Sequence, residues 1–221
     1  RNAISPEMLV RLADTWTAVR DDPDIRVAVV TGAGDKAFCS GADLGRFIPL
    51  MSRARPAEDE WDRRLLADGE MLGRGLLRTF DVVKPVIAAI NGHAIAGGME
   101  LAQGTDLRVA SESAKFGVQE VKWAIFPGGG STVRLPRQIP YARAMELLLT
   151  GESITAQRAY EIGLVNRVVP AEALMDDAMQ TAGRIAAHPP LALQAIKEAA
   201  VRGLDLPLRE AIVWGLRMER L

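Results

Sequence analysis

The 221-residue sequence contains one cysteine and two histidines. A single cysteine excludes an internal disulfide, and histidines as far apart as His93 and His188 lack the close spacing of zinc ligands. No bound metal is expected, and a reducing compartment fits. No apolar run approaches the roughly 18 residues that a membrane-crossing helix needs. The opening Arg1-Asn-Ala-Ile-Ser-Pro6 has none of the build of a signal peptide, so a cytoplasmic location is expected. Charge of one sign is also missing: 27 Lys and Arg stand against 28 Asp and Glu, a net charge of -1, with no long block of either. Neither nucleic acid nor an anionic membrane is recommended as a partner, which favours a small-molecule substrate. What is present in quantity is apolar: 48% hydrophobic residues suffice for one large domain, or one domain with a smaller appendage.

The stretch Asn91-Gly-His-Ala-Ile-Ala-Gly-Gly-Met-Glu-Leu-Ala-Gln-Gly-Thr-Asp106 carries the strongest chemical signal. Val86–Ile90 is a short apolar run ending at Asn91-Gly92, the pattern of a buried strand entering a turn. Gly97 and Gly98 let the backbone approach a ligand closely. A helix starting there turns unpaired N–H groups and a partial positive charge outward, which suits an oxyanion. Glu100, three residues after Gly97, can share the first helical turn with the Gly97 amide. The alternative is that the glycines serve tight helix–strand packing and Glu100 complements the helix dipole.

A second unit has the same order. Val27–Thr31 is a β-branched run that breaks into Gly32-Ala-Gly-Asp-Lys-Ala-Phe-Cys-Ser-Gly-Ala-Asp-Leu44, small residues leading to a helix start near Asp43. Two such units can supply two N–H donors to one carbonyl oxygen. Gly32 to Ala37 also fits a loose dinucleotide fingerprint, but no helix follows directly and no acidic strand end lies where a Rossmann fold needs one. Cys39 has no nearby base and reads as a small buried residue rather than a nucleophile. His93 reads as a hydrogen-bonded structural histidine. Pro127-Gly-Gly-Gly-Ser-Thr132 lacks the lysine and spacing of a phosphate loop and reads as a tight turn before a helix.

Three motifs in order make the chain resemble the enoyl-CoA hydratase/isomerase (crotonase) superfamily over nearly its whole length. They are Lys36-Ala-Phe-Cys-Ser-Gly-Ala-Asp43, then Asn91-Gly92 through Gly97-Gly-Met-Glu-Leu-Ala102, then Phe116-Gly-Val-Gln-Glu120 with Pro127-Gly-Gly-Gly130. The resemblance implies an α/β fold, a crotonase-like spiral of strand–strand–helix units with a C-terminal helical trimerisation region. Residues 1–170 would form the spiral core and 171–221 the helical region, in a homotrimer or dimer of trimers. It also implies that an N-terminal strand pair and a C-terminal segment are missing from this chain. The implied reaction is reversible hydration of 2-trans-enoyl-CoA to 3-hydroxyacyl-CoA. Alternatives are a double-bond isomerase and a non-catalytic acyl-CoA-binding protein.

The same resemblance assigns roles. Amides of Ala42 and Gly97 would hold the thioester oxygen, Glu120 would protonate the α-carbon, and Glu100 would orient or deprotonate the attacking water. Lys36 would meet coenzyme A phosphates. The further lysine that relatives often carry past Gly-Ala-Asp is replaced here by Gly45-Arg46. No separate cofactor is implied, because coenzyme A is part of the substrate. The variable stretch Phe47–Glu70 would line the acyl pocket.

Local patterns complete the outline. Ser5-Pro6 is a cap and first position for a helix with Met8, Leu9, Leu12, Trp16 and Val19 on one face. A helix is expected over Met71–Phe80, strands at Asp106–Ala110 and Leu164–Val169, and helices at Pro140–Leu149 and Thr155–Ile162. Only helices are expected beyond Ala171, broken at His188–Pro190 and Gly203–Pro207.

Overall fold

A computed structural model describes residues 1–218. Helix α1 (Pro6–Asp21) begins as its cap predicts, with the Ser5 side chain accepting from the Met8 amide. Its apolar face, Leu9, Val10, Ala13, Trp16 and Val19, is buried. Then β1 (Ala28–Thr31) and β2 (Ala37–Cys39) form the first strand pair, followed by the short helices α2 (Phe47–Met51), α3 (Glu60–Ala67) and α4 (Met71–Gly75). A second pair, β3 (Val86–Ile90) and β4 (His93–Ile95), runs into α5 (Gly97–Gln103). The third pair, β5 (Leu107–Ser111) and β6 (Lys115–Gly117), leads through a 3-10 turn (Glu120–Trp123) to α6 (Ser131–Gln138) and α7 (Tyr141–Thr150).

Each turn of this spiral lays its first strand in one sheet and its second in another. The fourth turn reverses that order: β7 (Ile154–Thr155) precedes α8 (Ala156–Glu161) and β8 (Arg167–Val169). The sheets are therefore β1-β3-β5-β8, all parallel, and β2-β4-β6-β7, in which only β7 is antiparallel. β3 is buried along its whole length, as expected of a central parallel strand covered on both faces. Its Val86, Ala88 and Ile90 join the main core, while Ile87 and Ala89 pack with Leu174, Ala178 and Ala182 of α9 (Leu174–Ala186).

The helix expected over Met71–Phe80 stops at Gly75. The Gly75 carbonyl accepts the Trp16 indole N–H at 3.1 Å, and the Gly73 carbonyl takes the amides of Arg78 and Thr79. Leu77 then turns left-handed, with φ 54°. A Cβ on Gly75 would lie 2.6 Å from Leu9 Cδ1, so tight packing of α4 on α1 decides the boundary rather than propensity. The helix start near Asp43 is displaced in the same way. Asp43 Oδ1 accepts from the amides of Gly45 and Arg46 in a turn, and α2 begins at Phe47.

Beyond Ala171 the described chain is helical. α9 closes the second core, whereas α10 (Pro190–Gly203) and α11 (Leu208–Met218) pack on each other and contain no buried residue. Leu191, Ile196, Leu204 and Leu208 are all exposed. Residues 219–221 of the expected C-terminal region lie outside the described residues.

Candidate active site

All seven residues of α5 are buried, and its first turn is fitted to β2 by small residues. A Cβ on Gly98 would stand 2.1 Å from the Cys39 carbonyl oxygen, so only glycine permits this approach. Ala96 makes the reversal from β4 into α5 with φ 52° and ψ -124°, a conformation costly for any residue with a Cβ, of order 1–3 kcal/mol. Surrounding bonds hold it there: its amide donates to the Gly117 carbonyl at 2.8 Å and its carbonyl accepts the Glu100 amide at 3.0 Å.

This reversal brings Gly97 beside Ala42. A Cβ built on Gly97 would lie 3.8 Å from the Ala42 nitrogen, and one on Gly41 would lie 3.3 Å from the Gly97 nitrogen. Ala42 pairs with Ile4 in a parallel bridge that uses the Gly41 carbonyl and the Asp43 amide, leaving the Ala42 amide out of the ladder. Among the described residues neither the Ala42 nor the Gly97 amide has an acceptor. Two adjacent, unspent N–H groups thus border one cavity of about 360 Å³.

Both glutamates line that cavity. Glu100 is 3% exposed, and its carboxylate accepts the Ser131 amide at 3.1 Å at the start of α6. Burial raises its pKa, opposed by the backbone amides of Ser131, Gly129 and Gly130 and by the Ser131 side chain. Glu120, on the 3-10 turn, is 8% exposed, and its Oε2 has no partner among the described residues. Burial first, and the charge of Glu100 second, push it up to about 7. Glu100 is solvated by several amides, whereas Glu120 has only its own backbone amide and leaves Oε2 unpartnered, so the pair titrates unequally and the proton favours Glu120. Apart from Ser40 and Gln119 the remaining side chains of the wall are apolar, with Ile4, Phe47, Ile48, Leu72, Leu76 and Trp123 prominent.

Lys36 does not join this group. It is exposed, just before β2, whereas Ala42 lies just beyond that strand. Arg46, at the place of the relatives' further lysine, is held by Asp59 at 2.6 Å. His93 is exposed and makes no side-chain hydrogen bond among the described residues, which corrects its reading as a tethered structural histidine. Asn91 does the tethering instead, accepting from the Gly32 amide and donating to the carbonyls of Gly32 and Gly34. Cys39 is buried with its thiol pushed up to about 11 by desolvation, the inert state expected of it.

The family model described as enoyl-CoA hydratase/isomerase matches residues 1–219. This chain belongs to that family. It is 46% identical over 213 residues to an (E)-benzylidenesuccinyl-CoA hydratase of Thauera aromatica, covering 96% of this chain and 79% of that protein. An enoyl-CoA hydratase of Mycobacterium tuberculosis is 45% identical over 211 residues, covering 96% and 76%. Among solved structures, an enoyl-CoA hydratase from Bacillus anthracis superposes with a TM-score of 0.86 at 38% identity, covering 99% of this chain and 81% of that one. The spiral fold is accordingly the crotonase fold.

Within this hydratase/isomerase frame, two features escaped the sequence. The glycine turn Gly128–Gly130, taken for a plain turn, presents its amides to Glu100, and a Cβ on Gly129 would fall 2.3 Å from Glu100 Oε2. A run of small residues opening a helix is an anion site in principle, and that signal was readable. The second is the wall formed by Trp123, Ile125 and Phe126, which no periodicity marks. Of the stretch Phe47–Glu70 only Phe47 and Ile48 reach the cavity, while Leu65 packs into the main core and Trp61 against it.

Proposed function

We propose that this chain catalyses reversible syn addition of water to 2-trans-enoyl-CoA, giving 3-hydroxyacyl-CoA. One observation carries the reading: two carboxylates of unequal proton affinity share an apolar cavity with two unspent amides. The Ala42 and Gly97 amides take the thioester oxygen and stabilise the enolate charge that develops there, about 3 kcal/mol for each donor in comparable sites. Glu100, held by the amides of the glycine turn, orients the water and accepts its proton as the oxygen bonds to the β-carbon. Glu120 enters protonated and delivers its proton to the α-carbon, the division of labour expected where environments push two pKa values apart. The elements of water are thereby added as a hydroxyl on one carbon and a hydrogen on the other, and return of the proton from Glu100 to Glu120 restores the pair, with neither metal nor separate cofactor. Similarity to proteins named as enoyl-CoA hydratases supports the same assignment.

The wider proposal places Lys36 against coenzyme A phosphates outside the cavity and the exposed faces of α10 and α11 in a trimer or dimer of trimers. It makes the protein a cytoplasmic enzyme of acyl-CoA thioesters with no nucleic-acid or membrane partner. Hydration of crotonyl-CoA by the parent chain and by Glu100→Gln tests the core of this. The substitution should lower kcat at least about a hundredfold with the fold intact. Near-parental hydration by Glu100→Gln would refute the two-carboxylate mechanism.

A further inference from the structure

Arg134, in the first turn of α6, packs against the glycine turn that holds Glu100, and its Nη1 lies at the end of α5, where a Cβ on Gly104 would come within 2.8 Å of it. A Cβ on Gly129 would touch the Glu100 carboxylate, and one on Gly130 would lie 3.7 Å from Arg134 Cδ and 4.0 Å from its Nε. Consecutive glycines of one turn therefore touch a buried carboxylate and an arginine side chain. The Arg134 Nη2 donates to the Leu77 carbonyl and, at 3.5 Å, to that of Arg78, while Arg78 Nη1 donates to the Gly128 carbonyl at 2.8 Å. These bonds staple the turn after α4 to the turn that holds Glu100. Arg134 Nη1 is buried without a partner, and among the described residues no carboxylate oxygen comes within ion-pair distance of this side chain.

A partly buried cation with no ion-pair partner is expensive, and a structural staple made of two carbonyl bonds does not need the charge. The other ionisable groups on elements packed about α5 are Glu120 on the 3-10 turn, Arg78 after α4, Cys39 on β2, His93 on β4, Arg137 on α6 and Arg108 on β5, and Arg134 also borders a cleft with Asp81, Asp106 and Lys197. Arg108 bonds the Ala102 carbonyl near the other end of α5, and Cys39 stays neutral. Burial lowers the pKa of Arg134 and raises that of Glu120; the charge of Glu100 opposes the first shift, favouring the charged guanidinium, and adds to the second, disfavouring the second carboxylate.

We propose that Arg134 is a positioning residue for the hydration: its charge, buried behind the glycine turn, biases the carboxylate pair toward an ionised Glu100 and a protonated Glu120. The inference rests on the function proposed above. It requires that loss of the charge disturb the chemical step while leaving thioester binding alone, because Arg134 does not line the catalytic cavity.

The test is the pH dependence of crotonyl-CoA hydration in the parent, two neutral variants, Arg134→Gln and Arg134→Met, and the charged Arg134→Lys. With the charge gone, Glu100 holds a proton to higher pH. The acid limb of kcat should then move up by about one unit in the neutral variants. Their kcat should fall about tenfold or more with KM nearly unchanged. Arg134→Lys should keep the parental acid limb and most of the rate. Equal loss in the Lys and neutral variants with no movement of the limb would assign Arg134 to structure alone and overturn the proposal. So would parental behaviour in all three, or loss of the fold in both neutral variants. A parent chain that hydrates nothing would instead remove the proposed function itself.

Discussion

Glu120→Gln preserves the outline of the protonated side chain and removes its ability to ionise, so it separates what this residue does for chemistry from what it costs the fold. Glu120 moves from an ordinary 4.5 to about 7 because it is buried beside Glu100. In the folded chain it binds its proton more tightly than in the unfolded chain. Its favourable contribution is full below 4.5 and is lost as pH rises through about 7. The shift of two and a half units, at about 1.4 kcal/mol for each, sets a ceiling of about 3–4 kcal/mol. Gln does not incur that loss. At about pH 8 the variant should melt several degrees above the parent, since about 1 kcal/mol moves Tm by roughly 2–4 °C in a chain of this size. Near pH 4.5 the advantage should vanish. Hydration should meanwhile fall at least about a hundredfold, because the proton for the α-carbon is gone. Paired melts at the two pH values, with crotonyl-CoA turnover on the same samples, measure both effects. A pH-independent difference in Tm, or a variant less stable at high pH, would refute the raised-carboxylate argument; retained turnover would refute the proton-donor role.

Gly129→Ala forces a methyl against the Glu100 carboxylate, 2.3 Å from Oε2, and should cost at least about tenfold in kcat while the protein stays folded. Parental kcat in a melt-verified sample would contradict the turn's role in holding Glu100. Lys36→Ala should raise KM for acyl-CoA thioesters with kcat at saturation nearly unchanged, as when uniform binding is lost. A lowered kcat at constant KM would place Lys36 near the reacting atoms, contrary to its exposed position before β2. The bare apolar faces of α10 and α11 should be covered by other copies, so light scattering at micromolar concentration should give a trimer or hexamer. A stable monomer would disprove that assembly.

Much of the fold was legible because its signals are local. Ser5-Pro6 specifies the start of α1, Thr155 caps α8, and Gly163 ends the turn after it with φ 81°. Pro190 opens α10 after the expected break, for the same local reason. The apolar run Val86–Ile90 announces a strand buried on both faces, and the three motifs announce which spiral it belongs to. Helical spacing set Glu100 beside the Gly97 amide, but the spacing of Ala42 and Glu120 from them says nothing of distance, and it was the resemblance that put all four in one site.

Tertiary structure decided what depends on contacts between distant segments. Packing against α1 cut α4 short at Gly75, and a strand as brief as β7 exists only because β6 offers it an edge. The left-handed Ala96 cannot be read from alanine's preferences, since the bonds to Gly117 and Glu100 impose it. Nor could composition reveal that two glutamates of the same chemistry differ in their hold on a proton. That difference arises because the glycine turn reaches across the chain to solvate Glu100 with backbone amides and leaves the Oε2 of Glu120 without a partner in a largely apolar wall. Residue type sets the intrinsic acidity, and only the fold distributes the hydrogen bonds and burial that alter it.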